Sequence, residues 1–332
     1  MAPIPPALIE QVQSALATPD GVAHARAARI INEHATPEDT WAIEPLRARL
    51  AAALAPDSAI GLLELRASIM PITVALGLVG DGSAVATLVA ALAHPDERLV
   101  AAAAVALSEI GDRSVIAPLI AVLEQRPSPG VVQALGRLRA AEARDALLAA
   151  MRASLARPSA EEMEEGEDTE DLLVALCDAL GRISAAPAIE PLVALLHHPD
   201  DTVRLHAAIA LSRLGDGRAL PPIVAVATDR LGGYRSPRWA AAKRLAELDD
   251  PRGLEAMRDI YQHRDRIYQH RDTDIPARHA MIRDLGRHGD AGDIALLEWV
   301  AQHDDSPTDQ GWTLAHAAAR AIARISARQR DR

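Results

Sequence analysis

Side chains able to do chemistry cluster at four places in this 332-residue chain. One is a tandem duplication, IYQHRDR (260–266) followed at once by IYQHRDT (267–273). Residues seven apart return to nearly the same helical face, which sets Tyr261 with Tyr268, His263 with His270 and Asp265 with Asp272. Histidine and aspartate repeated in this way could hold a divalent metal. Two helical turns separate each pair by about 10 Å, however, too far for both imidazoles to ligate one ion from a straight helix. A duplication that lengthens an exposed helix is the simpler reading, and neither a metal nor any other cofactor is expected.

The second place is the run RPSAEEMEEGEDTEDLL, in which eight of the eleven residues from Glu161 to Asp171 are acidic. Such density cannot bury apolar surface, so a mobile loop insertion over 158–171 is expected. It lacks the alternating Asp/Gly arrangement of a calcium loop. A solvated insertion, a contact for a basic partner, and a tether competing for the chain's own basic groove all fit it. Third is Cys177, the sole cysteine, within VALCDAL. No disulfide can form within the chain, and a buried small hydrophobe fits this apolar helix better than a reactive thiol. Fourth is LGGYRSPRWAAAKRL (231–245), where Tyr234, Arg235 and Trp239 gather beside a glycine pair, with Lys243 close by. Aromatics with arginine anchor many interfaces, although Trp239 could equally fill a gap between repeats.

The elements that must position these groups are repeats. Helix-like apolar runs return at Leu76, Leu107, Leu135, Leu180, Leu211, Leu245, Leu285 and Ile322, mostly 28–40 residues apart. In the cleanest unit a first helix runs through AAPAIEPLVALLHH, entered near Pro187, where a proline needs no donor. The turn His198–Asp201 comes next, with Asp200 or Asp201 placed to cap the second helix, TVRLHAAIALSRLG. Val203, Ala207, Ala210, Leu211 and Leu214 form the expected buried stripe. Gly215 then supplies a left-handed stop, and the Gly-Asp pair recurs at 80–81, 111–112 and 289–290. A period near 31 with helical patterning on both sides of each stop predicts stacked helical hairpins, an all-α solenoid wound as a right-handed superhelix. The composition agrees: 49 % hydrophobic, no Phe, four Trp and three Tyr, as suits thin helix layers. One continuous array over 1–332 is expected, with degenerate repeats over 6–80, clear ones over 83–183 and 185–328, and about nine hairpins.

The strings VRLHAAIALSRLGDGRALPPIVAV and VIAPLIAVLEQ resemble HEAT repeats of the phycobilisome lyase-like group. The resemblance covers about residues 43–325. It implies the solenoid fold, and for function it implies either a scaffold, a bilin lyase or lyase-type chaperone, or a HEAT-like nucleic-acid-binding protein. The repeat's Val-Arg pair is intact at Val203-Arg204, and Arg238 and Arg278 hold the arginine position elsewhere. These three arginines are expected to bridge neighbouring hairpins as a ladder.

In HEAT-type solenoids the second helices line the concave side. Positions one, five and nine after the arginine position should project inward. They read Trp239, Lys243 and Glu247, then His279, Arg283 and Arg287, then His316, Arg320 and Arg324, with Leu205, Ile209 and Arg213 in the cleanest repeat. Residues 1–200 hold 14 Arg against 27 acids, and residues 201–332 hold 21 basic residues against 19 acids. The overall charge of −11 thus hides a basic track in the C-terminal half. Tyr234, Arg235, Trp239, Lys243, His279, Arg283, Arg287, His316, Arg320 and Arg324 are the candidate binding residues. No nucleophile–base pair recurs at fixed spacing, and an isoelectric point near 5.5 argues against nucleic acid. The expectation is a non-catalytic, monomeric scaffold whose concave face holds an acidic protein segment. No run of about 18 apolar residues lacks polar positions or prolines, and MAPIPPALIEQVQSAL has neither the basic start nor the apolar core of a signal peptide. A bacterial cytoplasmic protein is expected.

Overall fold

A computed structural model describes residues 6–18, 21–34, 39–55, 61, 64–156, 166–228, 238–262, 275–304 and 313–330. Among these residues lie eighteen α-helices and no β-strand. In chain order they are α1 (Pro6–Ala17), α2 (Gly21–His34), α3 (Ile43–Ala53), α4 (Met70–Val79), α5 (Gly82–Ala91), α6 (Glu97–Ile110), α7 (Ile116–Gln125), α8 (Pro129–Arg137), α9 (Arg144–Leu155) and α10 (Gly166–Arg182). They continue as α11 (Ile189–Leu195), α12 (Asp201–Arg213), α13 (Leu220–Thr228), α14 (Arg238–Glu247), α15 (Pro251–Gln262), α16 (Ile275–His288), α17 (Ile294–His303) and α18 (Leu314–Arg330).

The anchors explain the stacking. Leu76, Leu107, Leu135, Leu180, Leu211, Leu245 and Leu285 are all fully buried, and deep burial of a leucine contributes about 1.5–3 kcal/mol. In α18 the burial passes from the expected Ile322 to its neighbours Ala321 and Ile325. Leu214, expected in the stripe of α12, is likewise only half-buried.

Two compact units result, one of Met1–Leu195 with Arg213–Asp216, the other of Leu196–Ser212 with Gly217–Arg332. Within the first, α2, α4, α6, α8 and α10 pack in series, and α3, α5, α7 and α9 form a second layer behind them. Within the other, α14, α16 and α18 form the corresponding series. The second helices come very close. A Cβ built on Gly77 would lie 2.5 Å from the Cα of Ala106, one on Gly136 2.9 Å from that of Ala179, and one on Gly286 2.9 Å from that of Ala321. The glycine after each of these anchors is therefore required by the alanine before the next.

The stops adopt two geometries. Gly111 and Gly215 are left-handed, at φ 78° and 77°. Gly80 instead leaves its helix extended, and a Cβ there would sit 2.1 Å from the Leu76 carbonyl oxygen. Aspartates then cap the next helical segment. Asp81 accepts from the Ser83 N–H, Asp96 from Arg98 and Leu99, Asp112 from Ser114, and Asp290 from Gly292. Between the two candidates near α12, Asp200 does the capping, accepting from the Val203 N–H at 2.8 Å. The acidic run is in part helical rather than looped: Gly166–Asp171 open α10. Residues 161–165 lie outside the described residues, as do 263–273 of the duplication.

Candidate functional site

The second helices of the C-terminal unit carry the basic track. On α16 and α18, Leu285, Ala318 and Ala321 are buried, while Arg283, Arg287, Arg320 and Arg324 are exposed. His279, Arg283 and Arg287 from α16 and Arg320 and Arg324 from α18 line one recess of about 220 Å³, floored by Ala317 and Ala321. Five of the ten candidate residues therefore meet around one space. The four guanidiniums are exposed at its rim. Among the described residues no carboxylate forms an ion pair with Arg287 or Arg324, whereas Arg283 lies 3.9 Å from Asp284.

The other candidates sit differently. Lys243 and Trp239 on α14 turn to Asp284 of α16, with Lys243 Nζ 3.4 Å and the donating Trp239 Nε1 3.4 Å from its Oδ2. Asp284 is only 2 % exposed, and among the described residues its Oδ1 accepts no hydrogen bond. These two residues therefore compensate a buried carboxylate, and the recess is lined without them. His316 is exposed on α18, beside Thr313, whose Oγ1 lies 2.8 Å from its Nδ1. Tyr234 and Arg235 fall outside the described residues.

Earlier repeats depart from the inward strip. Leu205 and Ile209 are buried, because α12 packs apolar side chains on that side as well. Arg137 pairs with Glu109 of the preceding second helix, and Arg213 with Asp178 at 3.2 Å. Here the strip is cross-linked between helices, whereas Arg287 and Arg324 in the recess form no ion pair among the described residues.

The expected ladder of Arg204, Arg238 and Arg278 is realised at one position. Arg238 donates to the Ala227 carbonyl at 2.9 Å and to Asp259 of the next hairpin at 2.5 Å. Arg204 stays in its own turn, on the carbonyls of His198 and Pro199 and the carboxylate of Asp201. Its reach is spent on carbonyls at the helix–helix turn, and among the described residues it bridges no hairpins. The Arg278 side chain lies outside the described residues. A carbonyl-capping role that the spacing did not reveal recurs elsewhere. Arg126 donates to Leu92 and His94, and Arg328 to Gly286 and Gly289. A guanidinium's fork can serve two carbonyls at a helix C-terminus at once.

A further network holds the turn beside the recess. Arg258 grips Asp293 through Nε at 2.7 Å and Asp290 through Nη2 at 2.7 Å. The Asp293 side chain is fully buried and closes a capping box with Asp290. The Arg258 guanidinium, with the Gly292 N–H second to it, holds the Asp290 carboxyl below its ordinary range, and Asp293 raises the pKa of Arg258 in turn. Cys177 is buried, and desolvation, with Asp178 adding to it, pushes its thiol well above the ordinary range. That leaves it a poor nucleophile at neutral pH. Among the described residues no three His, Cys, Asp or Glu side chains come together as a metal would require, and no helix is long and apolar enough to cross a membrane.

The HEAT-repeat family model matches residues 72–131 and 160–236. Among solved structures, the chain is similar to one from the complex of CpcE and CpcF of phycocyanin lyase from Nostoc sp. PCC7120, at 21 % identity and a TM-score of 0.54. That match covers 87 % of this chain and 94 % of the other, and it is a likeness of fold. An engineered protein matches at 18 % identity with a TM-score of 0.37, covering 96 % of this chain and 89 % of its own. No curated protein matches the chain.

Proposed function

We propose that this chain, which is built of HEAT repeats, is a protein-interaction scaffold whose C-terminal second helices hold an acidic segment of a partner protein in the bacterial cytoplasm. The observation that carries this reading is the recess in which Arg283, Arg287, Arg320, Arg324 and His279 converge. A chain of net charge −11 that gathers guanidiniums around one space, with Arg287 and Arg324 in no ion pair among the described residues, concentrates a local positive field there. Arginine forks suit carboxylates, which they bind in pairs of hydrogen bonds.

A direct test is fluorescence anisotropy with a labelled poly-glutamate peptide. The wild-type chain binds it, and Arg283→Glu with Arg287→Glu abolishes binding while the helical circular dichroism is unchanged, because both side chains are exposed. Normal binding by the double variant places the partner elsewhere; loss of helicity would mean that these arginines serve the fold. A lyase or lyase-type chaperone role is the second reading, favoured by the fold likeness to the phycocyanin lyase complex. It is checked by adding a bilin to the chain and looking for a shifted absorbance band.

A further inference from the structure

The four arginines are ordered in two columns. Arg283 and Arg287 are four residues apart on α16, and Arg320 and Arg324 are four apart on α18, so each helix sets two guanidiniums about 6 Å apart along its axis. The helices run in the same direction. Ala317 shares the recess with His279, Ala321 meets Gly286 further along, and Arg328 reaches the Gly289 carbonyl at the end. With Gly286 level with Ala321, helical rise puts Arg320 between the levels of Arg283 and Arg287, and Arg324 just beyond Arg287. The columns thus form two brackets one helical turn apart, Arg283 with Arg320 and Arg287 with Arg324.

Resting on the scaffold reading, we propose that this recess recognises an acidic α-helix by spacing: two carboxylates at i and i+4, each held by one guanidinium from each wall. A partner helix laid along α16 and α18 has the same rise per turn as its hosts, so both carboxylates stay in register with both brackets. The alanine floor of Ala317 and Ala321 leaves room for the partner's side chains to reach the arginines.

The test uses the full chain and two labelled helical peptides of one composition, each with four glutamates. One peptide places them on a single face at i, i+4, i+7 and i+11; the other distributes them around the helix. The one-face peptide binds at least about tenfold tighter, the effect of gaining paired charge-assisted bonds. Arg287→Gln with Arg324→Gln removes one bracket and cuts that preference below about threefold, with circular dichroism unchanged. Equal binding of the two peptides, or a preference that survives the double substitution, overturns recognition by spacing and leaves the acidic-segment scaffold standing. No binding of either peptide overturns both. A variant that loses helicity is replaced by Arg324→Lys, which keeps the charge but lacks the fork and weakens the one-face peptide alone.

Discussion

In six repeats the residue before the anchor is alanine (Ala75, Ala106, Ala134, Ala179, Ala210 and Ala321), and Arg244 and Asp284 stand at that position in the other two. Each exception changes what the helix–helix contact is made of. Arg244 donates to Ser212 Oγ at 2.6 Å. Asp284 brings a charge into a layer meant for methyl groups, and Lys243 and Trp239 compensate it. Breaking a buried pair costs more than removing both members. Lys243→Met is therefore expected to lower unfolding stability by about 2 kcal/mol, less than a fully dry pair because Lys243 is partly exposed. Adding Asp284→Ala, the residue the repeat ordinarily holds, should restore most of that loss in urea titrations. If the double variant is as weak as the single, the lysine acts through packing and not charge. At Arg258, substitution by leucine strands the buried Asp293 and is expected to cost about 3 kcal/mol or more. The pH dependence has a defined sign. Asp290 has its pKa lowered in the folded chain, so its contribution is present above the unfolded pKa of about 3.9 and is lost as pH falls below it. Arg258→Leu removes the largest cause of that shift, so stability should fall less steeply below about pH 4 than in the wild type, as measured by thermal melts.

Between helices, the closeness of approach sets what an element tolerates. Gly286→Ala would place a Cβ 2.8 Å from the Cβ of Ala321 and 2.9 Å from its Cα. Alanine gains up to about 1 kcal/mol of helix propensity over glycine, and overpacking of a tight core costs about 1–3 kcal/mol. The neighbour is backbone, which cannot swing away, so the clash wins and a net loss of about 1–2 kcal/mol is expected. The same substitution should also disturb the recess, because Ala321 is part of its floor. Helix stops give the opposite case. Arg139, Ser184 and Asp249 are non-glycine residues at φ 48°, 56° and 57°, where other repeats use Gly111 and Gly215. Ser184→Gly relieves a left-handed conformation that costs about 1 kcal/mol, against the greater chain entropy of glycine. A gain of up to about 0.5 kcal/mol is expected, read as a raised Tm; a lowered Tm would show that the serine side chain stabilises the turn.

Taken over the whole molecule, charge is divided so that the acidic first 200 residues outweigh a C-terminal part that is nearly balanced. Near balance there is reached while four of the 21 basic residues are gathered in one recess, and several acids pair elsewhere: Asp259 on Arg238, Asp290 and Asp293 on Arg258, Asp284 on Lys243. A partner held by exposed guanidiniums should be sensitive to salt, since exposed charges are screened over about 8–10 Å at physiological ionic strength. Raising sodium chloride from about 0.05 to 0.5 M should weaken poly-glutamate binding at least tenfold. Affinity that ignores salt would mean that apolar contacts hold the ligand and that the arginine recess is incidental to it.

Repeat spacing, buried leucines, Gly-Asp stops and aspartate caps were legible in the chain because each is a local requirement: a helix stripe, a left-handed residue, an orphan N–H. Projection along helices at steps of four also placed His279, Arg283, Arg287, Arg320 and Arg324 on one face, for the same local reason. What local rules could not decide was which charges pair across helices. Lys243 and Trp239 share the inward strip with Arg283, yet they turn to Asp284, and Arg213 on the same strip meets Asp178. Pairing depends on which side chain of the adjacent helix lies within about 4 Å, and that is set by the register between helices. Only the packed structure fixes that register, at contacts such as Gly286 against Ala321.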